Sequence, residues 1–132
     1  MNPYEQYQQK MLTTMTQGEM LLKLYDETLR QIDLARQYIQ TQEIAEMDKA
    51  IAKAQKIIRY LRGNLDFRYS VAGNLAKLYD FFGSELMTAS VKKDVKPLDD
   101  IRPLISDLRN TFEQCDKIER GNRTSQTAGN VV

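Results

Sequence analysis

Histidine and tryptophan are absent from the 132 residues, cysteine occurs once, and glycine and proline number only six and three. Without histidine the chain lacks the commonest acid–base group at neutral pH and a frequent transition-metal ligand. A di-iron bundle enzyme needs Glu-x-x-His pairs projecting inward, so that chemistry is excluded. Cys115 has no second cysteine for an intramolecular disulfide and, without histidine, is a poor nucleophile or zinc ligand. No Gly-rich phosphate loop is present, and no carboxylates are paired at a spacing that argues for acid–base work. The sequence therefore predicts neither enzyme, metal nor cofactor. Scarce glycine and proline also leave little punctuation for a β-rich fold, which favours long helices with few connections.

Charge of one sign is missing too. Lys and Arg number 19 against 18 Asp and Glu, a net charge of +1, so no global field draws the chain to nucleic acid or to an anionic membrane. No charged-then-apolar leader and no apolar run of about 18 residues appears, which predicts a cytosolic protein without membrane insertion. Hydrophobic residues make up 42% and charged residues 28%, as in soluble globular proteins. A chain of this length is the size of one domain and buries roughly two-thirds of its unfolded-state surface.

What is present is helical periodicity. The tripeptide Leu-Tyr-Asp occurs as 24–26 and again as 78–80, each time mid-stripe in an amphipathic pattern. A tyrosine there adds a large ring and a hydroxyl that seeks a partner when buried, while the next-door aspartate is turned about 100° away. Thr16-x-x-Glu19 reads as a capping box opening the first helix. Leu21, Tyr25, Thr28, Ile32, Ala35 and Ile39 then carry its stripe to about Gln40. A second stripe runs from Met47 through Ala50, Ile51, Ala54, Ile57, Ile58 and Leu61 to Leu65, with Gly63-Asn64 as its stop. A third follows Val71, Leu75, Leu78, Tyr79, Phe82, Leu86 and Ala89, with Ser70 as N-cap and Lys92-Lys93 at its end. A fourth holds Leu98, Ile101, Leu104, Ile105, Leu108, Phe112 and Cys115. Its start is open, because Pro97 suits a first turn whereas Pro103 removes a hydrogen bond from a helix interior. Central positions such as Ile57 and Leu108 are expected to be well buried, and Cys115 to be a small buried hydrophobe.

Short links between successive helices predict an all-α, antiparallel up-down four-helix bundle over 16–119. Residues 1–15, with Tyr4, Tyr7 and three glutamines, read as an N-terminal arm or short helix. Residues 120–132 are polar and small and read as a disordered, flexible tail.

Apolar residues exceed what one stripe per helix needs. Leu22 and Leu29 flank the first stripe on one side and Met20, Leu34 and Tyr38 on the other. Phe81 and Met87 leave the third on opposite sides, and the arm adds Tyr4, Tyr7, Met11 and Met15. Either wide stripes serve a small core with the arm folded over them, or the surplus forms a groove for another protein's amphipathic segment. Lys49, Lys53, Lys56, Arg59 and Arg62 on the second helix read first as a solvated face and second as a contact for an acidic partner.

The order and spacing of these segments resemble the FliS family of flagellin-specific export chaperones. The match begins at Asn2-Pro3-Tyr4-x-x-Tyr7 and continues from Thr14 through Leu24-Tyr25-Asp26. It returns at Leu78-Tyr79-Asp80-Phe81-Phe82 with Leu86 and Ala89-Ser90. Glu27-Thr28 stands where the family commonly has Gly-Ala, and Phe112 where an aromatic is usual. The resemblance implies a cytosolic chaperone that binds the disordered C-terminal segment of flagellin, prevents premature polymerisation and aids delivery to the flagellar type III export gate. It implies an N-terminal arm that covers part of the groove until flagellin arrives. On this reading the partner-binding residues are Tyr4, Tyr7, Met11, Leu22, Tyr25, Leu29, Tyr79, Phe81 and Met87, and an export-gate component is a further partner. The alternative is a self-associating structural bundle, a homodimer without a flagellin client.

Overall fold

The computed structural model describes residues 2–6 and the backbone of 15–131, with side chains described as far as Asn122. Four long helices follow one another: α1 Gln17–Gln40, α2 Ile44–Gly63, α3 Ala72–Lys92 and α4 Lys96–Val131. Each packs on the next and α4 closes the ring against α1, which gives the expected antiparallel up-down bundle. The described residues contain no strand, and a further helical turn spans 3–6. Asn2 caps that turn, its side-chain oxygen accepting from the Glu5 amide at 2.8 Å.

Local chemistry sets the helix ends. The Thr16 hydroxyl accepts from the Glu19 amide at 3.1 Å, the predicted N-cap of α1. After Gln40 the chain turns through Gln42 at φ 63°, and the Glu43 amide reaches back to the Tyr38 carbonyl at 2.8 Å, a Schellman closure. Lys93 at φ 53° ends α3 in the same way, with the Asp94 amide on the Ala89 carbonyl at 3.3 Å. Helix α2 ends at Gly63 with Asn64 as C-cap, as expected. The link to α3 is longer, and its cap is not Ser70: Val71 takes the position, with helical backbone angles and no side-chain cap bond.

Pro97 and Pro103 both lie inside α4. Pro97 occupies the first turn, where its missing N–H costs nothing, and is buried. Pro103 sits in the helix interior but is exposed, so the carbonyl it leaves without a helical donor is on the hydrated side. The helical backbone is described past Glu119 to Val131, and the core cluster has no member among the described residues of that stretch. A formed helix propagates at one hydrogen bond per residue, which lets polar residues prolong it without a core beneath them.

Tyr25, Ile32, Met47, Ile51, Phe82, Leu86, Leu98, Ile101 and Ile105 form the centre of the core. Three sequence expectations fail at its edges. Ile57 and Leu108 are only half-buried, because Ile58 and Ile105 take the inward positions beside them. Cys115 is exposed: the inward positions of late α4 go to Phe112 and Asp116, and Cys115 turns toward the thinly packed α3 side.

Candidate partner-binding surface

The two Leu-Tyr-Asp repeats place Tyr25 and Tyr79 face to face across the core. Their hydroxyls hydrogen-bond to each other, Tyr25 being 0% and Tyr79 3% exposed, and the Tyr25 ring stacks on Phe112 at 5.5 Å between centroids. Burial, then the bond to Tyr79, pushes the Tyr25 phenol far above its ordinary pKa, and burial raises that of Tyr79. Both rings are buried and support the core from within, while the edge of Tyr79 also lines the hollow between α2 and α3. The accompanying aspartates face outward, as the 100° step requires, with Asp26 on Arg109 at 2.8 Å and Asp80 on Arg62 at 3.0 Å.

Asp26 belongs to a row of ion pairs along the α1–α4 seam. Asp33 holds Arg102 at 2.6 Å, Arg36 holds Asp99 at 2.8 Å, and Glu19 takes Arg120 at 3.1 Å. Steps up α1 from 26 to 33 to 36 are matched by equal steps down α4 from 109 to 102 to 99, as antiparallel helices in one register demand. Near the start of α1, Gly18 lies against Asp116, whose carboxylate is buried and pairs with Arg120 at 2.7 Å. A Cβ at position 18 would lie 2.1 Å from an Asp116 oxygen, so only glycine allows this approach.

The opposite flank of α4 differs. Contact between α3 and α4 is the sparsest of the four seams. The α4 residues turned to that side by helical spacing are Leu104, Leu108, Cys115 and Ile118; Leu104 is 41% and Ile118 63% exposed. Across from them, α3 presents half-buried Leu78 and exposed Phe81. The two helices thus face each other with partly exposed apolar side chains along their sparsest seam, the apolar trough of this bundle. On the other flank of α3, exposed Met87 borders a hollow shared with Gln55, Ile58, Arg59, Arg62 and Gly83 of the α2–α3 seam. At the bundle end opposite the two tight turns, Tyr60, Phe67, Tyr69 and Val71 are exposed.

The residues singled out from sequence therefore divide among separate places. Phe81 lies on the trough and Met87 on the α2–α3 hollow. Leu22 lines a shallow depression on α1 with Met15, Lys23, Glu27 and Arg30, and Leu29 packs half-buried under the ion-pair row. Tyr4 is 67% exposed on its helical turn, close enough to Arg30 that its phenol adds, after Glu27, to holding that guanidinium charged. Tyr7 and Met11 lie outside the described residues. Sequence reading missed the trough residues Leu104, Leu108 and Ile118 as surface; their i, i+4 and i+14 spacing places them on one line beside the core stripe, a signal that was available. Among the described residues no cluster of His, Cys, Asp or Glu is arranged to hold a metal, and no helix is long and apolar enough to cross a membrane.

A family model described as flagellar protein FliS matches residues 1–119. The chain belongs to the FliS family. It is 32% identical over 122 residues to the flagellar secretion chaperone FliS of Bacillus subtilis strain 168, covering 92% of each chain. It is 24% identical over 99 residues to the flagellar secretion chaperone FliS of Salmonella typhimurium strain LT2, covering 73% of each. The family match extends past the end of the bundle's packed core, through the Asp116 carboxylate that meets Gly18, so the closure of α4 on α1 belongs to the matched region. Membership gives the chain a role as an export chaperone of the flagellar system, in a family of chaperones and not of enzymes.

Proposed function

We propose that this protein binds the disordered C-terminal segment of flagellin in the cytoplasm, shields it from premature polymerisation and hands it to a component of the flagellar type III export gate, by binding alone and without catalysis. The observation that carries the reading is the apolar trough on one flank of α4, opposite the flank that a row of ion pairs fastens to α1. A client that folds as it binds loses conformational entropy and needs a long apolar surface to retain net affinity. Phe81, Leu78, Leu104 and Leu108 supply such a line, and its extension to Ile118 suits a segment laid along the bundle.

The Asn2-capped turn with Tyr4 is a candidate cover for neighbouring apolar surface, including Leu22 on α1. If the arm competes with flagellin, apparent affinity falls by the fraction of molecules that are covered. Replacing Tyr4 and Tyr7 by Ser then leaves the bundle folded and does not weaken binding of a flagellin C-terminal peptide in calorimetry; a clear loss makes the arm part of the binding surface.

Co-expression with flagellin followed by size exclusion tests the main reading. A one-to-one complex that is lost on Phe81→Ser with Leu104→Ser, while the helical circular dichroism is unchanged, supports it. A homodimer that flagellin C-terminal peptide does not displace points instead to a self-associating bundle.

A further inference from the structure

The net charge of +1 hides an uneven distribution. Helix α2 carries Lys49, Lys53, Lys56, Arg59 and Arg62 against only Glu46 and Asp48, whereas acids and bases nearly balance on each of the other three helices. Glu46 takes Lys49 at 3.4 Å, Asp80 takes Arg62 at 3.0 Å, and Asp48 accepts from the Ser90 hydroxyl at 3.0 Å. Lys53, Lys56 and Arg59 are exposed and have no ion-pair partner among the described residues. They follow one another at three-residue steps, so they form neighbouring positions on the helix surface.

Arg59, the last of the three, lines the hollow between α2 and α3 together with Arg62, whose charge is met there by Asp80; Lys56 and then Lys53 turn progressively away from it around α2. The floor of the hollow is apolar and open. Met87 is 56% exposed there, Ile58 lies beneath, and nothing stands within 4 Å of the point where a side chain on Gly83 would begin. Unpaired cations beside a concave apolar floor are the complement of a helix with one apolar edge and carboxylates alongside it. A polyanion such as RNA would use the cations but has no need of the floor, and a flat anionic membrane would not reach it.

We propose that the α2–α3 hollow docks an acidic amphipathic helix of a second protein, its apolar edge over Ile58, Gly83 and Met87 and its carboxylates against Arg59 and, one step outward, Lys56. Met87 and Phe81 leave the core stripe of α3 on opposite flanks, so this partner binds without displacing an occupant of the α3–α4 trough. The chaperone is then a two-sided adaptor.

The probe is a designed helical peptide of about twenty residues with Leu at i, i+3, i+4 and i+7 and Glu beside them, against a twin with Gln for every Glu. Fluorescence anisotropy on the full chain is expected to show the Glu peptide binding about tenfold more tightly at low salt, an advantage that shrinks as salt is added. Gly83→Leu, whose Cβ would meet nothing within 4 Å, and the double change Lys56→Glu, Arg59→Glu are each expected to weaken the Glu peptide about tenfold with circular dichroism and Tm unchanged. Should Gly83→Leu prove unstable, Met87→Gln at the exposed position reads the same floor. Equal binding of the Glu and Gln peptides overturns the proposal. So does charge reversal that abolishes binding while Gly83→Leu and Met87→Gln leave it intact, because the cations would then serve any polyanion, as parallel titrations with RNA and anionic vesicles would reveal.

Discussion

Helix α4 meets its two neighbours in opposite ways. Toward α1 it presents Asp99, Arg102, Arg109 and Arg120, every one ion-paired across the seam; toward α3 it presents Leu104, Leu108, Cys115 and Ile118, with few contacts to cover them. Exposed pairs contribute little stability each, so these four are not where most of the folding energy comes from. Its contribution is alignment: charges in matched register leave one way for α4 to lie. The α3 side gains little from alignment and leaves apolar area uncovered, the area that the proposed function gives to a partner. A small bundle can thus hold a binding face open without losing its topology, provided that the opposite seam fixes the helix.

The largest expected effect lies between the flanks, on the inward stripe that anchors α4. Ile105→Ala should cost about 2–5 kcal/mol in denaturant unfolding, through lost transfer energy and the cavity left behind. Leu104→Ala, one position away on the exposed flank, should stay within about 0.5 kcal/mol. Similar losses at the two sites would mean that the trough is part of the core and the contrast is false.

Next comes the tyrosine pair. Because burial raises both phenol pKa values above the unfolded value of 10.0, its contribution to stability is intact below about pH 10 and declines as the pH rises beyond that, when only the unfolded chain ionises freely. Urea titrations from pH 8 to 11 should show this decline, and Tyr25→Phe combined with Tyr79→Phe should flatten it. Either single change leaves one hydroxyl without its partner and should cost about 1–3 kcal/mol. An unchanged alkaline profile in the double variant would assign the decline to other groups.

Smaller still is the ladder. Asp26→Asn or Asp33→Asn should each cost under about 1 kcal/mol, and less in high salt. A loss that salt does not reduce would show that these pairs do more than align α4. Last, ending the chain at Arg120 should leave Tm nearly unchanged, since the core residues all precede it; a cooperative loss of structure would show that the final turns of α4 are needed by the fold.

Much of the fold was legible because period, caps and stops agreed: Thr16, Gln40, Gly63-Asn64 and Lys92 mark helix ends in both sequence and structure. Ser70 misled because a good capping residue in a link says nothing of where the chain places it. Cys115, Ile57 and Leu108 misled because an apolar stripe wider than the core reads the same as one wholly inside it; which edge is buried depends on how closely the neighbouring helix approaches. The site was legible as a surplus of apolar residues but not as a place. Tyr25 and Tyr79 were prominent for being repeated, and their partner is each other. The ladder was present as acids and bases seven residues apart on two helices, yet it becomes visible only when antiparallel packing brings the two halves of the chain together.

That ladder restricts how this chain can be lengthened or shortened. Adding one residue to α1 between Asp26 and Asp33 would swing everything beyond it by 100° and push it 1.5 Å along the axis, unpairing Arg102 and Asp99 together. Only a change close to a whole heptad, made in both helices, restores the match. The α2–α3 link lies outside the two helices that these rungs join, so it is free of that restriction. Relatives of different length should therefore differ in that link and beyond Arg120, and seldom within the helices that the rungs join.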